Sequence, residues 1–125
     1  MFSGEVVSGE GSASEFLSLE PYARFIERKL GFRPFPGTLN LEVKPEEFRE
    51  FRRNSSDWKM ESKEYKGRKL GGIEVFPVGV QQTQAGILEA EKSRYSDSII
   101  EVVAEQKLRD ELGLSDGDTV EIKNA

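Results

Sequence analysis

The segment Pro36-Gly37-Thr38-Leu39-Asn40 combines residue types and a spacing that suit the binding of a metal ion. A Pro-Gly turn leads into a predicted strand, and residues i and i+2 of a strand lie on one face. The Thr38 hydroxyl and the Asn40 amide oxygen are therefore expected side by side, as two neutral oxygen ligands. Neutral ligands bind magnesium well only when phosphates and water complete its coordination. The pattern favours a metal that arrives with a nucleotide, and the alternative is a hairpin edge whose Thr and Asn face solvent.

A small, polar segment follows the first predicted strand and suits the binding of phosphate. In Gly9-Glu10-Gly11-Ser12-Ala13-Ser14, the glycines let backbone N–H groups turn toward an anion, and the serines add hydroxyl donors. The segment contains no Lys and matches neither the Walker pattern nor G-x-G-x-x-G. It therefore indicates either a phosphate-binding loop or an ordinary flexible loop.

Charged residues in the C-terminal third form another candidate site. Glu101 lies between Ile100 and Val102 in a predicted strand, so its side chain is expected on the opposite face from both. There it would accept hydrogen bonds from a substrate hydroxyl or ring N–H, or it would simply face solvent on a one-sided sheet. Lys107 and Arg109 lie early in a predicted helix, where cations fit the helix dipole poorly. Either a nearby anion or a salt bridge would explain this basic pair.

Two residue types are absent, and their absence excludes whole classes of chemistry. The 125 residues include no Cys and no His, which excludes disulfides, thiolate or imidazole catalysis, and metals bound by those side chains. Any metal must be bound by oxygen, as magnesium, calcium and manganese are. The net charge of −5 disfavours a nucleic-acid binder. No apolar run approaches the roughly 20 residues of a membrane span, and the first residues do not resemble a secretory signal, so we expect a cytoplasmic protein.

The elements that must position these side chains are short strands joined by turns and a few short helices. Helical spacing predicts a helix from Pro21 to Leu30, a second from Pro45 to Phe51 and a third from Gln106 to Leu112. Ser8 to Glu15 is expected to be a loop, and Lys66-Gly67 a hairpin turn. Strands are predicted over residues 2–7, 38–43, 70–80 (broken at Gly71-Gly72 and Pro77), 87–90 and 99–103, and after Asp116-Gly117. This pattern favours an α+β, mainly β barrel that forms one domain over residues 1–125.

Several segments occur in an order that resembles one known family. Pro36-Gly37-Thr38-Leu39-Asn40 is the most specific of them. The others are Gly4–Gly9, Leu17-Ser18-Leu19, Tyr22, Leu30-Gly31-Phe32, Gly71-Gly72, Ile99–Ala104, Leu108-Arg109 and Leu114–Asp118. Together they resemble the archaeal CTP-dependent riboflavin kinases, over nearly the whole chain. The resemblance implies a small six-stranded cradle-loop barrel of swapped-hairpin type, which makes FMN from riboflavin with CTP. It also implies that the chain begins at the kinase domain, without the winged helix-turn-helix of some members.

Carried over residue by residue, the resemblance implies three binding sites. Thr38 and Asn40 would bind magnesium, and Ser93 and Glu101 would contact the flavin. Glu101 is also the best candidate to accept the proton of the ribityl hydroxyl. The residues implied to bind the nucleotide are Glu10, Gly11, Ser12, Ala13, Ser14, Glu15, Gln106, Lys107, Leu108 and Arg109. The implied partners are riboflavin and CTP, with no nucleic acid and no membrane, and the expected assembly is a monomer.

The chain departs from the family's pattern around the implied nucleotide site. Ser12, Ala13 and Ser14 stand where the family usually has Glu-Gly and then Lys or Arg, and Glu105 stands where it has Pro. A missing loop cation removes a charge-assisted phosphate contact of about 1.5–3 kcal/mol. The leading hypothesis is a magnesium- and CTP-dependent riboflavin kinase. The second is a non-catalytic flavin- or nucleotide-binding module derived from such a kinase. A DNA-binding barrel of similar architecture is disfavoured by the acidic net charge.

Overall fold

A closed antiparallel barrel of six strands forms the centre of the protein. The computed structural model describes residues 1–9, 13–91 and 98–124. Its strands are β1 Phe2–Val7, β2 Leu39–Glu42, β3 Trp58–Met60, β4 Lys63–Tyr65, β5 Arg68–Leu70, β6 Ile73–Val80, β7 Thr83–Ala90, β8 Ile99–Ala104 and β9 Thr119–Asn124. Strands pair in the order β6-β7-β8-β2-β1-β9, and β9 pairs with β6 to close the barrel. β3 adds to β6, while β4 and β5 form the predicted hairpin around Lys66-Gly67. The predicted α+β, mainly β barrel is confirmed.

Short helices cover parts of this barrel. They are α1 Ala13–Leu17, α2 Glu20–Leu30, α3 Pro45–Arg53 and α4 Leu108–Glu111. In the described part of the chain, no helix has both the length and the apolar character needed to span a membrane. α4 is shorter than predicted, so Gln106 and Lys107 precede it.

Two apolar layers result from the alternation of side chains along the strands. The inner layer fills the barrel and includes Val6, Leu41, Ile87 and Val102, which are almost fully buried. The outer layer lies between α1 and α2 on one side and the outer face of β6, β7 and β8 on the other. Its members are Leu17, Tyr22, Phe25, Ile26, Leu30, Phe32, Met60, Leu70, Ile73, Val75, Leu88 and Val103. The side chains available for chemistry are therefore those on the outer face of the barrel that do not belong to the outer layer.

Helix α2 approaches the barrel closely because β7 has a glycine beneath it. A Cβ at Gly86 would lie 2.7 Å from Leu30 Cδ1, so a larger residue there would force the Leu30 side chain to shift. Pro21 lies in the first turn of α2, where its missing N–H leaves no hydrogen bond unmade. The helix ends at Gly31 as its sequence predicts.

Two predictions about local structure were wrong. Ser8 to Glu15 is not entirely loop, because α1 begins at Ala13 and its buried Leu17 packs in the outer layer. The predicted break at Pro77 is also absent, since β6 continues through it. β3 pairs with residues 73–75 of β6 and β9 with residues 78–80, so on that side Pro77 has no strand partner that would need its N–H.

A charged network attaches α3 to the barrel. Arg52 on α3 lies 3.5 Å from the Glu74 carboxylate and 3.2 Å from the Glu89 carboxylate. The pKa of Glu74 is raised to about 7, mainly because the carboxyl is partly buried. A hydrogen bond with Asp57 and the negative charge of Asp57 also raise this pKa, whereas the positive charges of Arg52 and Lys59 lower it. Folded protein therefore holds a proton on Glu74 in a pH range where unfolded protein has lost it.

We expect this proton to make stability depend on pH. The stabilising contribution of a carboxyl whose pKa is raised by folding is present below about pH 4.5 and is lost as the pH rises through about 7. Glu74→Gln should therefore reduce the fall in the free energy of unfolding between about pH 5 and pH 8, measured by urea denaturation. Glu50→Gln, on the exposed face of α3, is the control. An unchanged pH dependence in Glu74→Gln would show that Glu74 does not hold an extra proton in the folded protein between about pH 5 and pH 8.

Candidate functional site

Four residues form a row across the outer face of the barrel. The row runs through Val7 on β1, Asn40 on β2, Glu101 on β8 and Leu88 on β7. Each of these residues is directly opposite the next one in the neighbouring strand. They alternate with the residues that fill the barrel, so their side chains lie on the outside. Neighbouring strands are about 4.8 Å apart, so the three steps of this cross-strand row span about 14 Å.

The middle of the cross-strand row brings together three of the residues singled out from the sequence. Thr38 directly precedes β2, and its hydroxyl donates a 2.9 Å hydrogen bond to Glu101 Oε2. Asn40 is 8% exposed, and its Oδ1 is buried and accepts no hydrogen bond from any described residue. A buried acceptor without a partner destabilises a fold by about 1–3 kcal/mol. Such an atom, next to a hydroxyl and a carboxylate, indicates a site built for something other than stability.

The donor set fits a hard cation. Thr38 uses its hydrogen toward Glu101, which leaves the lone pairs of its oxygen available, and a cation would satisfy the orphaned Oδ1 of Asn40. Oxygen ligands of this kind suit magnesium. Within residues 1–9, 13–91 and 98–124, no group of three or more acidic side chains could hold a metal by itself. An ion on Thr38 and Asn40 would need phosphates and water as further ligands, so magnesium stays a prediction that the geometry accommodates.

Burial shapes the protonation of Glu101. It raises the pKa of this carboxyl above its ordinary value, and the hydrogen bond from Thr38 opposes that rise only in part. A carboxylate with a raised pKa is a stronger base than an exposed one. Glu101 is thus suited to accept a proton from a hydroxyl placed beside it.

A second polar cluster lies at the β1 end of the cross-strand row. Arg109 Nη2 donates to the Val7 carbonyl at 3.3 Å and to Asp116 Oδ1 at 2.5 Å. The Ser8 hydroxyl donates to the other oxygen of Asp116 at 2.6 Å. These hydrogen bonds, that of Ser8 first, lower the pKa of Asp116. Arg109 therefore holds the end of β1, directly before the segment implied to bind the nucleotide.

The remaining residues that the resemblance implies for ligand binding differ in their exposure and position. Gln106 and Lys107 are exposed beside this cluster, whereas the Leu108 side chain is buried in the inner layer and leaves only backbone for a ligand. Ser14 and Glu15 lie on α1, where the Ser14 carbonyl accepts hydrogen bonds from Ser18. Four of the implied residues lie outside the described residues, as does the side chain of Ala13; they are Glu10, Gly11, Ser12 and Ser93.

The opposite end of the cross-strand row leads to a cavity that sequence reasoning assigned to no ligand. It encloses about 430 Å³ between α1, the start of α2 and the segment that joins β5 to β6. The rings of Phe16 and Tyr22 stack with centroids 4.1 Å apart, and the Tyr22 hydroxyl donates to the Gly71 carbonyl at 2.7 Å. A Cβ at Gly72 would lie 2.6 Å from the Met60 carbonyl oxygen. The adjacent glycines were the available signal, since glycine in such a place marks a close backbone approach.

Comparisons with known proteins agree on one family. The family model CTP-dep_RFKase, described as a domain of unknown function (DUF120), matches residues 6–123. A riboflavin kinase of Methanospirillum hungatei is 38% identical over 98% of this chain and 57% of its own length. Those of Pyrobaculum arsenaticum and Archaeoglobus fulgidus are each 38% identical over 96% of this chain, and over 58% and 52% of their own lengths. The chain thus spans a little over half the length of these relatives.

Proposed function

Because this chain belongs to the CTP-dep_RFKase family, we propose that it transfers the terminal phosphate of CTP to the 5′-hydroxyl of riboflavin, giving FMN and CDP. The observation that carries the proposal is the cluster of Thr38, Asn40 and Glu101, with its orphaned amide oxygen and its buried carboxylate. The names of the similar proteins support riboflavin as the acceptor. Only the short name of the family model supports CTP as the donor.

The cross-strand row suggests an order for the two substrates. The nucleotide lies at the end held by Arg109, with exposed Lys107 near its phosphates and its terminal phosphate over Asn40. Riboflavin lies on the other side, with its 5′-hydroxyl at Glu101. Thr38 and Asn40 would hold a magnesium ion, which would neutralise negative charge on the phosphates. Phosphoryl transfer depends mainly on such positioning and charge stabilisation, so a chain without His or Cys can perform it.

Glu101 takes the proton in the proposed reaction. The ribityl 5′-oxygen forms a bond to the terminal phosphorus of CTP, and the bond from that phosphorus to the bridging oxygen of CDP breaks. The hydroxyl proton passes to the Glu101 carboxylate, whose basicity burial has increased. The Thr38 hydroxyl donates a hydrogen bond to Glu101 Oε2, and this bond fixes the orientation of the carboxylate that takes the proton.

The test of the proposal is the formation of FMN, separated from riboflavin by chromatography. FMN should appear only when riboflavin, CTP and magnesium are all present, and chelation of the metal should stop it. The altered segment Ser12-Ala13-Ser14 favours a second candidate, a module that binds flavin or nucleotide without catalysis. Tight flavin binding with no FMN under any of these conditions would support that module and contradict the kinase.

Lys107→Ala is expected to weaken CTP binding. One charge-assisted phosphate contact contributes about 1.5–3 kcal/mol, which corresponds to a rise of about 10- to 100-fold in the KM for CTP. The KM for riboflavin should change little, and the effect should shrink at high salt because exposed charges are screened. Lys123→Ala, an exposed lysine on β9, is the matched control. Equal values of KM for CTP in both variants would remove Lys107 from the nucleotide site.

A further inference from the structure

We infer that Asp116 is a positioning residue for the donor nucleotide, because it fixes Arg109 against the end of β1; this inference rests on the proposed function. Asp116 lies in the turn between α4 and β9, and its carboxylate joins that turn to two other segments of the chain. It need not touch the nucleotide to act in this way. Its effect would pass through the guanidinium that it holds.

Three side-chain hydrogen bonds form a closed ring around Asp116. Its Oδ1 accepts from Arg109 Nη2 at 2.5 Å, and its Oδ2 accepts from the Ser8 hydroxyl at 2.6 Å. The same Nη2 donates to the Val7 carbonyl at 3.3 Å, and Val7 is the chain neighbour of Ser8. The guanidinium therefore cannot move without weakening its contact with β1 or its charge-assisted bond to the turn.

The turn that carries Asp116 is fixed to β1 by its own backbone. Beyond the last paired residues of β1 and β9, the Gly117 N–H donates to the Val6 carbonyl at 2.9 Å, and the Val6 N–H donates to the Asp118 carbonyl at 2.8 Å. Gly117 has a φ of +94°, a conformation that glycine adopts without strain. Asp116 thus projects from a backbone that is hydrogen-bonded to the barrel, so its carboxylate can serve as a fixed support.

The ring lies where the nucleotide is proposed to bind. Ser8 directly precedes the segment from Gly9 to Ser14, which contains no Lys or Arg. A nucleotide there would depend on cations from α4 and the residue before it, which are Arg109 and Lys107. In its hydrogen bonds with described residues Arg109 uses only Nη2, so its other N–H groups remain available to a ligand. The position of one guanidinium therefore matters more here than it would beside a segment with its own cation.

The charge of Asp116 gives the inference a test by sign. Hydrogen bonds, that of Ser8 first and then that of Arg109, lower the pKa of Asp116, so its carboxylate is charged at neutral pH. A carboxylate that merely lay near the phosphates would repel them, and its removal would strengthen nucleotide binding. A carboxylate that positions Arg109 has the opposite effect, and its removal weakens binding. A purely structural role of this exposed ion pair predicts little change in either direction.

Asp116→Asn keeps an oxygen that can accept from Ser8 but loses the charge that holds Arg109. We expect the Kd for CTP with magnesium, measured by calorimetry without riboflavin, to rise by about 5- to 50-fold. The KM for CTP should rise by a similar factor, while kcat and the KM for riboflavin change little. Asp116→Glu restores the charge and should recover part of the loss. Asp110→Asn removes an exposed carboxylate from α4 itself and, as the matched control, should bind CTP as before.

Ser8→Ala provides a second variant that leaves the Asp116 charge in place. It should weaken CTP binding in the same direction but by a smaller factor. Combined with Asp116→Asn, it should raise the Kd by less than the product of the two separate factors, because both changes act through one carboxylate. A combined effect equal to that product would overturn the inference, since the two side chains would then act independently.

The remaining outcomes separate this inference from the kinase proposal. Unchanged or tighter CTP binding by Asp116→Asn would overturn the inference even if FMN forms, and so would an equal loss of riboflavin binding. If Asp116→Asn weakens CTP binding while the unchanged protein makes no FMN, the inference stands and the kinase proposal fails. If the unchanged protein binds riboflavin but no CTP, both fail.

Discussion

Asn40→Leu is expected to abolish magnesium-dependent phosphoryl transfer and to leave the fold at least as stable as before. The Asn40 Oδ1 is buried and accepts no hydrogen bond from a described residue, so removing it deletes an uncompensated polar atom of similar shape. A metal ligand is lost at the same time, and we expect turnover to fall by about 100-fold or more. Residues that stabilise a fold do not behave this way when they are replaced.

Turnover at saturating magnesium and the thermal unfolding midpoint test this expectation together. Glu42→Gln is the matched control, because Glu42 lies on the same strand and is exposed; it should retain both properties. If Asn40→Leu keeps full turnover, Asn40 does not hold the metal. If it unfolds instead, the amide has a structural role that outweighs its orphaned oxygen.

Glu101→Gln is expected to lower turnover by about 100- to 10,000-fold, the range contributed by a general base. Glutamine keeps the size of the side chain and an oxygen that accepts the hydrogen bond from Thr38, so only the capacity to take a proton is lost. Binding of riboflavin should change much less than turnover. Full turnover in this variant would exclude Glu101 as the base.

The pH profile of turnover gives an independent test of Glu101. A base works in its deprotonated form, so turnover should fall as the pH drops through the pKa of Glu101, which burial raises and a nearby magnesium ion would lower. The hydrogen bond from Thr38 lowers that pKa, so Thr38→Val should move the acidic limb to higher pH in whatever activity remains. An acidic limb that does not move would place the titrating group elsewhere.

Local patterns in the sequence were sufficient to predict the faces of the strands. Alternation places Glu101 on the opposite face from Ile100 and Val102, and places Thr38 and Asn40 on one face, as found. These are properties of a few adjacent residues, since side chains of a strand alternate with a period of two. The closed barrel followed from many short strands, and that prediction was also confirmed.

Contacts between distant segments were beyond local patterns. Neither the hydrogen bond from Ser8 to Asp116, 108 residues apart, nor the register that puts Leu88 beside Glu101 leaves a local signal. α1 was missed because its helix depends on burying Leu17 against the outer layer, and the cavity beside it exists only once α1 is in place. Tertiary packing here outweighed the polar composition of the segment before it.

The formation of FMN from riboflavin and magnesium, with CTP, ATP, GTP and UTP supplied in parallel, tests the central claim most directly. We expect turnover with CTP and at most slow turnover with the other three nucleotides. That result would mean that backbone N–H groups suffice where the segment from Gly9 to Ser14 lacks a cation. No FMN with any nucleotide, in protein that binds riboflavin, would contradict the account, and turnover with ATP alone would contradict its donor.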